Sequence, residues 1–340
     1  MLKKLTLLAF FITSIPLMGQ DMQYSQFYAA PLQLNPAMTG VSELTRMGAN
    51  YRKQWPGLQY DFQGFSAYMD HYSFDWKSGF GVSLNSFQES NLNIRLTDFS
   101  LFYAYRLDLT EDLNLRFGTQ AAWVRRHAAM DHLLLSDQIN VLSQTVAPVT
   151  MDDIPNFEPY SYLDVSFGGL LTGERFWLGG SAYHVTQPYL SFYSDRLGGR
   201  LPIKYNFHSG FVIPINQDRG PFADKSENML SLSGNYKHQG PFQQLDVSAQ
   251  VLYEKILIGA GFRGIPGQAD LPNRDSVIGL LGFVTNGGLM VGYSFDYMVS
   301  RLGMVTDGAH EISLRYQFFK GLPQSRGQES RILKCFQYMM

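Results

Sequence analysis

Near the end of the chain, polar and apolar residues alternate with a period of two. Ile312, Leu314, Tyr316 and Phe318 fall on one face, and Glu311, Ser313, Arg315 and Gln317 on the other. The same pattern recurs upstream. Leu289, Val291, Tyr293, Phe295 and Tyr297 alternate with Met290, Gly292, Ser294, Asp296 and Met298. Leu230, Leu232, Gly234 and Tyr236 alternate with Ser231, Ser233, Asn235 and Lys237. Leu113, Leu115, Phe117, Thr119, Ala121 and Trp123 alternate with Asn114, Arg116, Gly118, Gln120 and Ala122. A soluble sandwich alternates too. Many strands of about ten residues, each ending near an aromatic side chain, instead predict a transmembrane β-barrel.

The pattern predicts about fourteen antiparallel strands, an even number as single-chain bacterial barrels favour. They span residues 45–55, 60–71, 79–88, 93–107, 113–127, 160–172, 175–186, 203–215, 228–238, 243–254, 255–263, 276–285, 288–299 and 309–319. The fold class is therefore all-β, a transmembrane outer-membrane barrel over 45–319. Short connections at 110–112, 173–174 and 239–241 are expected at one membrane side. Longer ones at 130–159, 187–202, 216–227 and 264–275 are expected at the other, the first with room for a short helix near 131–138. Every second wall residue would face a wet lumen, Glu311 and Arg315 among them, with Leu314 and Tyr316 toward lipid.

The two ends lie outside the strand pattern. Lys3 and Lys4 precede an apolar run from Leu5 to Leu17, and Gly19 is a small residue before a cut that would leave Gln20 first. Residues 1–19 therefore read as a secretory signal peptide, too short to span a bilayer as a helix. No cysteine lies near the cut, so a lipoprotein anchor is not expected. Residues 20–44 are polar and aromatic, and Pro31 and Pro36 forbid a regular ladder there. Tyr24, Phe27, Tyr28 and Leu34 carry too much apolar surface for a free tail, and Asn35-Pro36 favours a turn. This segment is expected to plug or line the lumen. Residues 320–340 form a polar C-terminal tail.

Composition narrows the class further. Aromatic residues make up 14% and charged residues only 16% of the chain, against about 25% charged in soluble domains. Beyond the N-terminus no apolar run approaches the roughly 18 residues of a transmembrane helix. A net charge of −2 without any basic run gives no footprint for nucleic acid. The single cysteine, Cys335, cannot form an internal disulfide.

Several motifs resemble one known family. Gln20, Asp21, Gln23, Tyr24, Ser25, Gln26, Phe27 and Tyr28, followed by Pro31, Leu32, Leu34, Asn35, Pro36, Ala37 and Gly40, resemble the mature N-terminus of PorP/SprF outer-membrane proteins of Bacteroidetes. So do Tyr51 to Pro56, Asp137-Gln138 in the long loop, Tyr293 to Tyr297, and His310 to Tyr316. The family often ends in Cys-Pro-x-Phe; here Cys335 is followed directly by Phe336, without that proline. The resemblance implies a type IX secretion component, often tied to gliding adhesins. Its partners would be a secreted surface protein, held by its C-terminal domain, other secretion components and outer-membrane lipid.

Candidate chemistry is thin. His310 and Glu311 are strand neighbours and face opposite sides, and the other six histidines are scattered without metal-ligand spacing. Gly259 and Gly261 lie in a strand rather than before a helix, so a phosphate cradle is not expected. No enzyme activity, metal or cofactor is implied. Arg125-Arg126 reads as solvated rim charge or a binding contact. Tyr160, Tyr189, Phe192 and Tyr193 beside the long loops read as interface anchors or as the interfacial aromatic belt. The competing function is an outer-membrane channel for small or hydrophobic solutes.

Overall fold

A computed structural model of the chain describes residues 21–90, 93–128, 136–140, 143–148, 151, 158–190, 199–215, 228–264, 274–285, 287–300 and 303–318. Fourteen antiparallel strands close into one barrel. They are β1 (Thr45–Gln54), β2 (Phe62–Ser73), β3 (Ser78–Glu89), β4 (Ile94–Asp108), β5 (Asn114–Ala128), β6 (Tyr160–Thr172) and β7 (Phe176–Tyr183), then β8 (Lys204–Pro214), β9 (Met229–Gln239), β10 (Phe242–Tyr253), β11 (Ile256–Gly264), β12 (Ser276–Val284), β13 (Leu289–Met298) and β14 (Ala309–Phe318). The ring shuts where β1 pairs with β14, from Thr45↔Phe318 to Gln54↔Ala309. In lipid only such closure leaves no strand edge unpaired.

The alternation becomes the two faces of the wall. On β14, Leu314 is 47% exposed toward lipid while Glu311 is fully buried in the lumen. Strand ends fall within three residues of those predicted, and several coincide with positive φ. Trp55 (φ 59), Asn93 (φ 46), His184 (φ 60) and Glu254 (φ 54) leave the extended region and break the ladder. Thus β7 stops at Tyr183 instead of running to 186.

Two expectations need correction. In a ring of sequential hairpins the connections alternate between ends, so parity rather than length decides the side. The tight connection after Gln239 therefore joins the long loops, and Ile215 and Asn228, bonded to each other where β8 ends and β9 begins, lie at the short-turn end with the turns after Asp108 and Thr172. The lumen is also not simply wet. Leu170, Trp177, Val212, Met229, Leu252, Leu257, Leu280 and Met290 point inward and form an apolar core with residues of the N-terminal segment. Period two distinguishes faces but does not reveal that an interior will be filled. In the long loop, residues 136–138 make a single 3-10 turn, followed by a two-residue hairpin pairing Ile139↔Val146 and Asn140↔Thr145.

Leu314 sits mid-strand on the lipid face, so Leu314→Arg is expected to destabilise the barrel by roughly 2–4 kcal/mol if it lies near the midplane. Urea titration of the barrel refolded in lipid vesicles, read by heat-modifiable gel migration, checks this.

Candidate functional site in the barrel lumen

Residues 21–44 run through the ring from the long-loop end, where Asp21 meets Lys204 and His184, to the short-turn end, where Glu43 meets Arg106. Of its three short helical turns, Phe27–Ala29, Pro31–Leu34 and Pro36–Met38, the last two start with proline, where a missing amide hydrogen costs nothing. Such a segment has no neighbouring strand for its backbone groups, so inward side chains must supply partners. Asn50 Nδ2 donates to the Ala29 carbonyl at 3.1 Å, and the Tyr183 hydroxyl to that of Leu32 at 2.9 Å. Ser181 Oγ and Asn206 Nδ2 both donate to Leu34 O, and Arg116 Nη1 to Thr39 O. Asn35, fully buried, works in both directions. Its Oδ1 accepts from Ala37 N at 2.9 Å and caps the Pro36–Met38 turn, while its Nδ2 reaches Gly169 O, Gly180 O and His208 Nε2.

Toward the long-loop end, an alternating charge network grips Ser25. Arg52 bridges Asp296 at 2.7 Å and Glu311 at 3.2 Å; Arg263 bridges Asp296 at 2.9 Å and Asp246 at 2.7 Å; Lys237 closes on Asp246 at 3.1 Å. Three cations thus face three carboxylates, which removes most of the penalty of burying charge. Ser25 Oγ donates to Asp296 and accepts from Arg52 and Arg263, while the Ser25 and Gln26 amides donate to the Glu311 carboxylate. At the short-turn end Asp70 takes a bidentate bond from Arg46 at 2.9 and 2.8 Å and another from Gly40 N at 2.7 Å.

Wall glycines trace the same path. A Cβ on Gly118 would fall 2.2 Å from Ala37 N, and one on Gly79 would fall 2.1 Å from Thr39 O. Gly168 and Gly179 likewise make room for Asn35 and His208. At Gly118 and Gly79 backbone lies directly on backbone, so only glycine fits.

The sequence-chosen residues separate into groups. Tyr24, Phe27, Tyr28 and Asn35 lie buried in the lumen, and Asp296 and Glu311 belong to the network around Ser25. Arg315 also points inward. Arg125 and Arg126 do not act as a pair: consecutive on β5, they face opposite sides, Arg125 outward and exposed. Asp137 and Gln138 bond within their own loop, to Met151 N and Ala147 O. Tyr189 is exposed and carries the Arg200 guanidinium 4.8 Å over its ring. Phe192 and Tyr193 lie outside the described residues. Sequence reasoning missed Asp21, Arg46, Arg52, Asp70, Asp164, His184, His208, Asp246 and Arg263. A signal for several existed, since a charged residue on the inner face of a lipid-bounded strand must find a partner within the lumen.

His184 holds the start of the described segment. Its Nδ1 lies 2.5 Å from Asp164 and its Nε2 2.8 Å from Asp21. Burial pushes its pKa down, but the Asp21 charge and the bonds to Asp164 and Asp21 outweigh burial and hold it at about 9. Burial pushes Asp21 up, and His184 and Lys204 more than reverse that, leaving its carboxyl well below the usual carboxylate range. On the lipid side, a shallow hollow of about 850 Å³ opens over Ser209, Gly234, Ala249 and Ala260 and does not belong to the lumen. Among the described residues no three His, Cys, Asp or Glu side chains gather as a metal site.

The sequence profile of the type IX secretion system membrane protein PorP/SprF matches residues 17–316, nearly the whole chain. The chain belongs to the PorP/SprF family. No curated protein matches it. Among solved structures, a Pseudomonas aeruginosa FadL homologue superposes with a TM-score of 0.45 at 12% identity, covering 84% of this chain and 93% of the homologue. The Pseudomonas putida toluene transporter TodX gives 0.44 at 9% identity over 89% and 98%, and Acinetobacter baumannii Omp33 gives 0.41 at 8% over 82% and 99%. These likenesses concern barrel architecture and say nothing about a transported solute. This PorP/SprF protein is an outer-membrane β-barrel whose lumen holds its own N-terminal segment.

Replacing Gly118 with valine places a side chain on the Ala37 backbone, and overpacking of this kind typically costs about 1–3 kcal/mol. Gly118→Val is expected to form the barrel but release residues 35–40, read as loss of amide-exchange protection there. The His184 anchor gives a second test. Its pKa in the folded protein exceeds the ordinary 6.5, so its stabilisation is complete below about 6.5 and disappears as pH rises through about 9. Exchange protection of residues 22–27, corrected for intrinsic rates, should fall across that window, and His184→Gln should show the weakened state throughout.

Proposed function

We propose that this barrel is a non-enzymatic, partner-specific component of type IX secretion that supports export or surface anchoring of particular secreted proteins, of the gliding-adhesin kind. Membership in the PorP/SprF family carries the secretion assignment. What supports a holding role over a conducting one is the occupied lumen. Ser25, Asn35 and Gly40 are bonded to the wall at three levels, and the apolar core fills space between them. A polypeptide cannot pass a pore already threaded by the barrel's own chain, so cargo would cross elsewhere and dock here by its C-terminal domain.

Bacterial barrels place short turns in the periplasm and long loops outside. On that convention the connections 129–159 and 184–203 meet cargo at the cell surface, and the exposed Tyr189–Arg200 pair lies among them. Aromatic and arginine side chains of this kind anchor protein interfaces. Residues 1–19 then serve as the export signal, and other secretion components complete the apparatus.

Deleting the gene and comparing surface and secreted proteomes with wild type tests the proposal. Loss of one or a few large surface proteins is expected, restored by the native gene and by individual His→Ala variants that retain a folded barrel. An unchanged surface together with slower uptake of small solutes, or open-channel conductance of the purified barrel in planar bilayers, would assign it as a channel instead.

A further inference from the structure

Near the short-turn end, the lumen holds a cation without a counter-charge among the described residues. The Arg315 side chain is buried on the inner face of β14. Its Nη2 donates to Met290 Sδ at 3.2 Å, a weak acceptor, while Nε and Nη1 have no partner among the described residues. The acid in electrostatic reach, Asp70, already receives Arg46 and Gly40. A guanidinium does not shed its proton in a protein, and a buried charge without compensation is strongly destabilising.

The surrounding groups share the same deficit. The hydroxyls of Tyr28 and Tyr68, Gln317 Nε2 and Arg46 Nη1 are all buried without a hydrogen-bond partner among the described residues. Tyr28, Tyr68 and Arg46 lie within electrostatic range of Arg315. Gln317 is two residues along the same face and stands opposite Arg46 in the ladder. Gly48 separates Arg315 from Tyr68 in one cross-strand row, and a Cβ there would come within 2.5–2.7 Å of the Tyr68 ring and hydroxyl. The missing side chain is what lets the phenol lie over β1 toward β14. Glu311, also in range of Tyr28, is already bound by Arg52 and the Ser25 and Gln26 amides.

Two guanidinium edges, two phenols and a primary amide are all able to donate, and among the described residues the formal charge left over there is positive. Water could satisfy the donors but would leave that charge. We propose that the space bounded by Arg315, Tyr28, Tyr68 and Gln317 binds a small monovalent anion of halide size. The anion ties the N-terminal segment, through Tyr28, to the wall strands β2 and β14.

Bromide is the probe. Crystals of the full barrel grown in sodium bromide should give an anomalous peak at the bromine edge within hydrogen-bond distance of Arg315. In solution the melting temperature should rise saturably with bromide relative to sodium gluconate at equal ionic strength. Arg315→Met should abolish that difference. Tyr68→Phe, which keeps the ring packing, should weaken bromide binding about tenfold, as expected for one hydrogen bond to a charged group. Ordered water without an anomalous peak, or the same bromide response in native protein and Tyr68→Phe, would overturn the proposal.

Discussion

Every backbone amide removed from water must find a partner, and that constraint shapes this protein twice. In the wall it is met by strand pairing carried around a closed ring, from β1 to β14. Inside the ring it recurs for residues 21–44, which have no strand beside them. There the partners are side chains: Asn50, Ser181, Tyr183, Asn206 and Arg116 donate to the segment's carbonyls, while Glu311 and Asp70 accept from its amides. The inner face of the barrel is polar largely because it solvates a peptide.

Charge follows from the same demand. Carboxylates strong enough to hold amides at 2.7 Å must themselves be neutralised in a low-dielectric interior, which brings Arg52, Arg263 and Arg46 into the lumen. Where acids and bases match, around Ser25, the network closes on itself. Around Arg315 they do not match among the described residues, and the donors left over are those the proposed anion would take. Wall glycines complete the fit, because a segment bonded this closely at Gly79 and Gly118 leaves no room for a Cβ.

A filled lumen bears directly on function. A channel needs a continuous polar path, whereas here Phe27, Leu34, Met38 and Val41 pack against Trp177, Leu252, Leu257 and Leu280 across the interior. Structural neighbours with transport names share only the architecture of the wall. Under the proposed function, specificity would be sought on the loops and the segment rather than in a pore.

The wall was legible in the chain's alternation alone. The number of strands, their ends to within a few residues, and the lipid and lumen faces all follow from period two, a local property each segment carries alone. Family membership was legible too, in the motifs from Gln20 to Gly40 and at the C-terminal strands. Only the tertiary structure decided which inward residues meet. Arg52 and Asp296 stand 244 positions apart in the chain, and no local pattern couples them. His184, read as a strand residue, proved to be an anchor because its φ of 60° turns it out of the ladder toward Asp21. Period two assigns a side chain to a face and carries no information about what lies across the lumen; ring closure sets that.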